Sequence, residues 1–117
     1  MCEILVIDDD QSILDTAEKF LSHFGYGVKV AHDGDEGIEL LRNGHDFGLV
    51  ITDIRMPGKD GNQVAKYIRE EENLKETPVV AITGFPSEAE KDLFDSVIPK
   101  PFKFTNLINV IRSLDTS

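Results

Sequence analysis

The sequence predicts an α/β domain in which strand and helix alternate five times, (βα)5, around a parallel sheet covered by helices on both faces. Three observations lead there. Short apolar runs recur at 4–7, 28–31, 47–52, 78–82 and 97–98, and stretches with apolar residues at helical spacing lie between them. Most of the runs are continuously apolar where a half-solvated strand would alternate, which marks strands buried on both faces. The 117 residues also suffice for one hydrophobic core, since a chain of this size buries about two-thirds of its unfolded surface.

Ile4-Leu5-Val6-Ile7 is the first strand, ended by three acids. Ile13, Leu14, Ala17, Phe20, Leu21 and Phe24 then recur at helical spacing until Gly25 stops them. Val28-Lys29-Val30-Ala31 alternates as a half-buried strand, and Ile38 and Leu41 mark a short helix closed by Asn43-Gly44. Phe47 to Thr52 reads as a third buried strand ending on Asp53. Met56-Pro57-Gly58 is a turn, because Pro fixes φ and Gly tolerates the reversal.

Val64, Ala65 and Ile68 give one stripe of a helix whose far side carries Lys66, Arg69 and Glu70-Glu71-Glu72, a solvated face. Pro78 to Ile82 is a fourth strand, with Pro at the first position, where a missing N–H is tolerated, and Thr83 at its end. Ser87-Glu88-Ala89-Glu90 resembles a capped helix start, but only Leu93 and Phe94 follow before Val97-Ile98, so this fourth helix is abbreviated. Leu107, Ile108, Val110, Ile111 and Leu114 form a terminal helix with Thr105 as its N-cap.

The formal charge of −10 argues against a phosphate backbone as direct partner, so nucleic acid is not expected to bind. Residues 1–53 hold 12 acids against 3 bases, and residues 54–117 hold 10 against 9. The excess therefore lies in the first half, where a cation is wanted. Apolar runs no longer than four or five residues, and a start without a basic region and apolar stretch, signal neither secretion nor membrane insertion. A cytoplasmic location is the expectation, and the single Cys2 forms no internal disulfide.

In a parallel α/β sheet ligands sit beyond the carboxyl ends of the strands. Asp8-Asp9-Asp10, Asp53, Thr83 and Lys100 all fall there. Carboxylates about 4 Å apart repel by about 4 kcal/mol per pair at an effective dielectric near 20, so they need a countercharge. An oxygen-only set suits magnesium better than zinc. A carboxylate beside the metal can attack a phosphoryl group to form an acyl phosphate, with Lys100 and the Thr83 hydroxyl stabilising the equatorial charge. Asp10, ahead of Gln11 and Ser12, reads as a helix start.

The pattern Ile-Leu-Val-Ile-Asp8-Asp9-Asp10, Val-Ile-Thr-Asp53-Ile-Arg-Met56-Pro57-Gly58, Ala-Ile-Thr83-Gly84 and Lys100-Pro101-Phe102 resembles the receiver domain of two-component response regulators. The intervals of 45 residues from Asp8 to Asp53 and 30 from Asp53 to Thr83 fit that family. The resemblance covers nearly the whole chain, so residues 1–117 are expected to form one receiver domain. It implies a flavodoxin-like three-layer sandwich with a five-stranded sheet of order 2-1-3-4-5.

It also implies that Asp53 accepts phosphate from a histidine kinase or phosphotransfer protein. Asp9 and Asp53 would bind Mg2+ directly with the Arg55 backbone carbonyl, and Asp8 largely through water. Thr83 would be the switch residue beside Gly84. Lys100 would pair with the phosphoryl group, oriented by a cis bond to Pro101. Arg55 and Phe85, each two residues past a site residue, would form the rim through which attacking water enters, with Phe85 slowing phosphate loss.

The sequence departs from the family between Thr83 and Lys100, an interval of 17 residues that is several short of the usual length. Val97 stands where many members carry an aromatic switch, and Pro99 removes a backbone donor near the site. Two other functions fit less well: a Mg2+-dependent phosphatase with an aspartyl nucleophile, which needs a cap, and an interaction module independent of phosphorylation. His23, His32 and His45 show no ligand spacing, and Asp33-Gly34-Asp35-Glu36-Gly37 fails the calcium-loop pattern. Gly25-Tyr26-Gly27 leads into a strand and is no dinucleotide fingerprint. Phe20, Phe24, Phe94 and Phe102 are expected in the core, and Cys2 as inert packing.

Overall fold

The computed structural model describes residues 3–114. Five strands, β1 (Glu3–Ile7), β2 (Gly27–Ala31), β3 (Leu49–Thr52), β4 (Val79–Thr83) and β5 (Ser96–Pro99), form one sheet of order β2-β1-β3-β4-β5. Every pairing is parallel. The helices are α1 (Gln11–His23), α2 (Gly34–Arg42), α3 (Gly61–Glu70) and α4 (Phe104–Leu114). The flavodoxin-like order implied by the sequence resemblance is the one observed.

Successive strand residues point to opposite faces, so the continuous apolar runs feed two cores. Ile4 and Val6 of β1, with Leu49, Ile51, Val80, Ile82 and Ile98, pack under Leu14, Ala17 and Leu21 of α1 and Leu107, Ile108 and Ile111 of α4. Leu5 and Ile7 face the other way, with Val50 and Val79, against Ile38 and Leu41 of α2 and Val64, Ala65 and Ile68 of α3. Each fully buried Leu or Ile contributes about 1.5–3 kcal/mol, so the two stripes hold the layers. The helix starts are set by side chains: Asp10 accepts from the Ser12 N–H, Asp33 from the Glu36 N–H, and Asp60 with Gln63 forms a capping box. Gly25 (φ +89) and Gly44 (φ +82) follow α1 and α2 in the left-handed region, which explains why both helices stop there.

The sequence expectation needs correction in six places. The abbreviated fourth helix is no α-helix: β4 and β5 are joined by two 3₁₀ turns, Pro86–Glu88 and Lys91–Leu93. Ala89, Leu93 and Phe94 cannot build an apolar stripe longer than a turn, and a helix that short does not offset its nucleation cost. Arg69 instead pins the segment, donating to the carbonyls of Leu93, Lys75 and Thr77 and to Asp95. Arg69 thus belongs to the packing and not to a solvated face.

The third strand starts at Leu49; before it the Gly48 N–H bonds the Glu3 carbonyl at 2.8 Å and Phe47 is buried in the loop. Pro78 precedes β4 and only lends its carbonyl to the Val50 N–H. Thr105 lies inside α4, where the Lys103 carbonyl accepts from the Asn106 and Leu107 N–H groups at the helix start. Phe24 is 41% exposed at the end of α1, while Phe20, Phe94 and Phe102 are half-buried. The expectation for Cys2 lies outside the described residues.

Candidate functional site

The parallel register brings the ends of β1, β3, β4 and β5 to one edge: Ile7 is level with Thr52, and Thr83 with Pro99. The ladder runs one residue past the strands. The Asp8 N–H donates to the Ala31 carbonyl at 3.1 Å and the Asp53 N–H to the Ile7 carbonyl at 3.0 Å, which holds both carboxylates at the edge. Asp8, Asp9 and Asp53 each offer an oxygen within 4.8 Å of the others; Asp8 and Asp53 are buried and Asp9 is exposed.

Lys100 answers that charge in part. Its Nζ lies 2.9 Å from Asp53 Oδ2 and 3.1 Å from Asp8 Oδ2. Burial alone would lower its pKa, but the hydrogen bonds and charges of Asp53 and Asp8 prevail and leave it above the ordinary lysine value. Burial also raises the Asp8 carboxyl, against the pull of the Asp10 N–H and Lys100. One ammonium among three carboxylates leaves two negative charges, the charge of one divalent cation. The donors are all oxygens, which fits a hard ion such as Mg2+.

The remaining oxygen of Asp53, Oδ1, accepts the Ile54 N–H at 2.6 Å, and the Thr52 hydroxyl donates to the Asp53 carbonyl at 2.8 Å. Thr83 is fully buried; its hydroxyl accepts the Phe85 N–H at 3.0 Å and its carbonyl accepts the Lys100 N–H at 2.8 Å. The hydroxyl is therefore engaged with the loop, while the carbonyl ties Thr83 to the backbone of Lys100. The Lys100–Pro101 peptide is cis. A β-carbon on Gly84 would meet nothing within 4 Å, so sterics do not require glycine there.

Beside the cluster, a groove of about 600 Å³ is lined by Asp9, Arg55, Met56, Asn62 and Glu88 among others. Arg55 stacks on the Phe85 ring, 3.5 Å from guanidinium carbon to centroid, and its Nε donates to Glu88 Oε1 at 2.8 Å.

Residues 4–112 match the family described as response regulator receiver domain. The chain belongs to that family. The receiver domain is 34% identical to the transcriptional regulatory protein CpxR of Escherichia coli over 119 residues, covering 97% of this chain and 49% of CpxR. It is 33% identical to the response regulator MprA of Mycobacterium ulcerans, covering 95% of this chain and 49% of MprA. The chain spans about half the length of the curated relatives it matches.

Among solved structures, the receiver resembles TrrA of Thermotoga maritima, determined in complex with Mg(2+)-BeF, with a TM-score of 0.88 and 30% identity over 98% of this chain and 100% of that one. It also resembles the chemotaxis response regulator CheY4 of Vibrio cholerae, with a TM-score of 0.88 and 26% identity over 98% and 99% of the two chains.

The structure thus gathers Asp8, Asp9, Asp53 and Lys100 into one cluster, ties Thr83 to Lys100 through its carbonyl, and stacks Arg55, which lines the adjoining groove, on Phe85. Sequence reasoning missed four residues around them. Thr52 and Gly61 both press on the Asp53 carbonyl, Glu88 holds the Arg55 guanidinium, and Asn62 holds the Glu88 carbonyl. Of these, only Gly61 had a sequence signal, as a glycine directly after the Asp60 helix cap.

Among the described residues, no helix is long and apolar enough to cross a membrane.

Proposed function

We propose that residues 1–117 form one phosphorylation switch, in which Asp53 accepts a phosphoryl group from a histidine kinase or phosphotransfer protein and thereby controls a partner or an attached output segment. The observation that carries the reading is the Lys100 ammonium shared between Asp53 and Asp8 inside a cluster of three carboxylates. Asp8, Asp9 and Asp53, with the Arg55 carbonyl, would hold Mg2+, which when bound would neutralise the cluster and screen the phosphoryl oxygens. The Mg(2+)-BeF complex of TrrA supports that assignment.

An Asp53 carboxylate oxygen forms the bond to phosphorus while the bond from phosphorus to the donor's histidine nitrogen breaks, and the imidazole leaves with that pair. Lys100, already 2.9 Å from Asp53, stabilises the charge that spreads over the transferring oxygens. The Thr83 hydroxyl gives up the Phe85 N–H and turns to the new phosphoryl group. Because the hydroxyl and Phe85 lie at the start of the β4–β5 connection, that exchange moves the segment 84–95 and supplies the output signal. Pro101 and Gly84 flank the two responding residues. Slow return to the free carboxylate by water makes the chain a timed switch and not a turnover enzyme, working in the cytoplasm and without direct contact to nucleic acid.

The test is incubation with Mg2+ and acetyl phosphate followed by intact mass measurement. Wild type should gain one phosphoryl mass and Asp53→Asn none. Equal gain by both, or none by wild type, would exclude Asp53 as the acceptor.

A further inference from the structure

We infer that Glu88 is a positioning residue for the phosphoryl site: by clamping the Arg55 guanidinium against the Phe85 ring, it lengthens the life of the acyl phosphate on Asp53. The inference rests on Asp53 being the acceptor.

Arg55 lies two residues past Asp53 and Phe85 two past Thr83, in the loops that follow the neighbouring strands β3 and β4. Arg55 lines the groove together with Asp9 and Glu88, and its guanidinium stacks on the Phe85 ring. An arginine stem alone is flexible. Here two guanidinium nitrogens engage the two oxygens of Glu88, and such a fork fixes the plane as well as the position of the group. The aromatic face beneath it adds a cation–π contact.

Glu88 is itself held. It closes the 3₁₀ turn Pro86–Glu88, whose Glu88 N–H bonds the Phe85 carbonyl at 2.9 Å. The Asn62 amide donates to the Glu88 carbonyl at 2.8 Å and its oxygen accepts the Glu90 N–H at 2.8 Å. Asn62 follows Gly61, which packs on the Asp53 carbonyl. Side-chain contacts thus run from Arg55 through Glu88 to Asn62 along the groove, and the chain joins each end of that path, through Ile54 and through Gly61, to the Asp53 backbone. A helix in place of the 3₁₀ turns would carry Glu88 in a different backbone geometry, so this path depends on the helix-less connection.

Loss of phosphate requires water to reach phosphorus from the solvent side. Its oxygen bonds to phosphorus as the bond to the Asp53 oxygen breaks; Asp53 keeps the pair, phosphate departs and one proton is released to solvent. Side chains fixed over the groove hinder that approach, and freeing Arg55 opens it.

Four proteins decide the matter: wild type, Glu88→Gln, Arg55→Met and the double variant. Each is labelled with acetyl phosphate and Mg2+, freed of donor, and followed by intact mass as the label decays. Both altered side chains are largely exposed, so the variants should fold. Glu88→Gln is expected to shorten the lifetime about two- to fivefold, the factor to which the coupling of an exposed ion pair converts. The double variant should decay no faster than Arg55→Met alone, a non-additivity that general loosening would not produce. An unchanged lifetime in Glu88→Gln, or the full Glu88 factor persisting in the Arg55→Met background, overturns the inference while Asp53 stands. A wild type that takes no label at Asp53 overturns the acceptor assignment beneath it.

Discussion

The backbone of Gly61 faces the carbonyl of Asp53 with no room between them for a β-carbon, which would overlap both the Asp53 oxygen and the Ile54 α-carbon. The Gly61 N–H also bonds the Ile54 carbonyl at 2.8 Å, so the start of α3 is bolted to the loop that carries the acceptor. Both obstructing atoms are backbone and cannot rotate away.

Gly61→Ala should therefore shift the 53–54 backbone, at a cost of about 1–3 kcal/mol in stability as for other overpacked sites. Urea titration gives the loss, and acetyl phosphate labelling of the folded variant should be slower than wild type. A variant matching wild type in both would show that the loop yields freely.

Lys100→Met removes the cation between Asp8 and Asp53 and leaves the carboxylates facing each other. Mg2+ should then bind more tightly, by about fivefold or more, since a unit charge about 4 Å away is worth about 1 kcal/mol even in water. Labelling of Asp53 should nonetheless slow by about a hundredfold, the usual cost of losing one group that meets developing charge. Calorimetric titration and the labelling rate read the two effects separately. Opposite signs are the signature; weaker metal binding would mean that Lys100 organises the carboxylates and does not compete with the metal.

Arg69→Met withdraws a guanidinium that serves the carbonyls of Leu93, Lys75 and Thr77 and the carboxylate of Asp95. Asp95 in turn accepts the Val79 N–H at 2.8 Å, so the staple fixes where β4 begins. Acceptors left without donors cost about 1–3 kcal/mol. Amide hydrogen exchange should accelerate across 84–95 while β1 and β3 keep their protection. Uniform acceleration would place Arg69 in the global fold and not in this segment.

Arg69 and Ile4 mark the limits of what the sequence made legible. Ile4-Leu5-Val6-Ile7 is buried on both faces, and continuous burial leaves a continuous apolar run, so the parallel sheet could be read directly. Asp8 and Asp53 were legible for a related reason, since a carboxylate directly after such a run must stand at the sheet edge. Arg69 and Glu88 carry no such mark. Each makes contacts with residues 24 to 33 positions away, Arg69 with Leu93 and Asp95 and Glu88 with Arg55, and a charged residue looks the same whether it meets water or a carbonyl. Thr105 misled because a good N-cap residue can also sit within the first turn, where the start of α4 is served by the Lys103 carbonyl.

Phe85 is 43% exposed, an unusual place for a phenylalanine, and its ring is covered on one side by the Arg55 guanidinium at 3.5 Å. Truncation to alanine leaves Arg55 gripped by Glu88 but with nothing beneath it, so the guanidinium can tilt and the mouth of the groove widens. An exposed cation–π contact is worth about 0.5–1 kcal/mol, which corresponds to a loss of acyl phosphate about two- to fivefold faster in Phe85→Ala. Phe85→Tyr keeps the ring face and should decay like wild type, whereas Phe85→Leu keeps bulk without the π face. If Leu behaves as Phe, exclusion of water by volume governs the rate; if Leu behaves as Ala, the stacked guanidinium does. A labelled Phe85→Ala protein as long-lived as wild type would remove Phe85 from the control of dephosphorylation altogether.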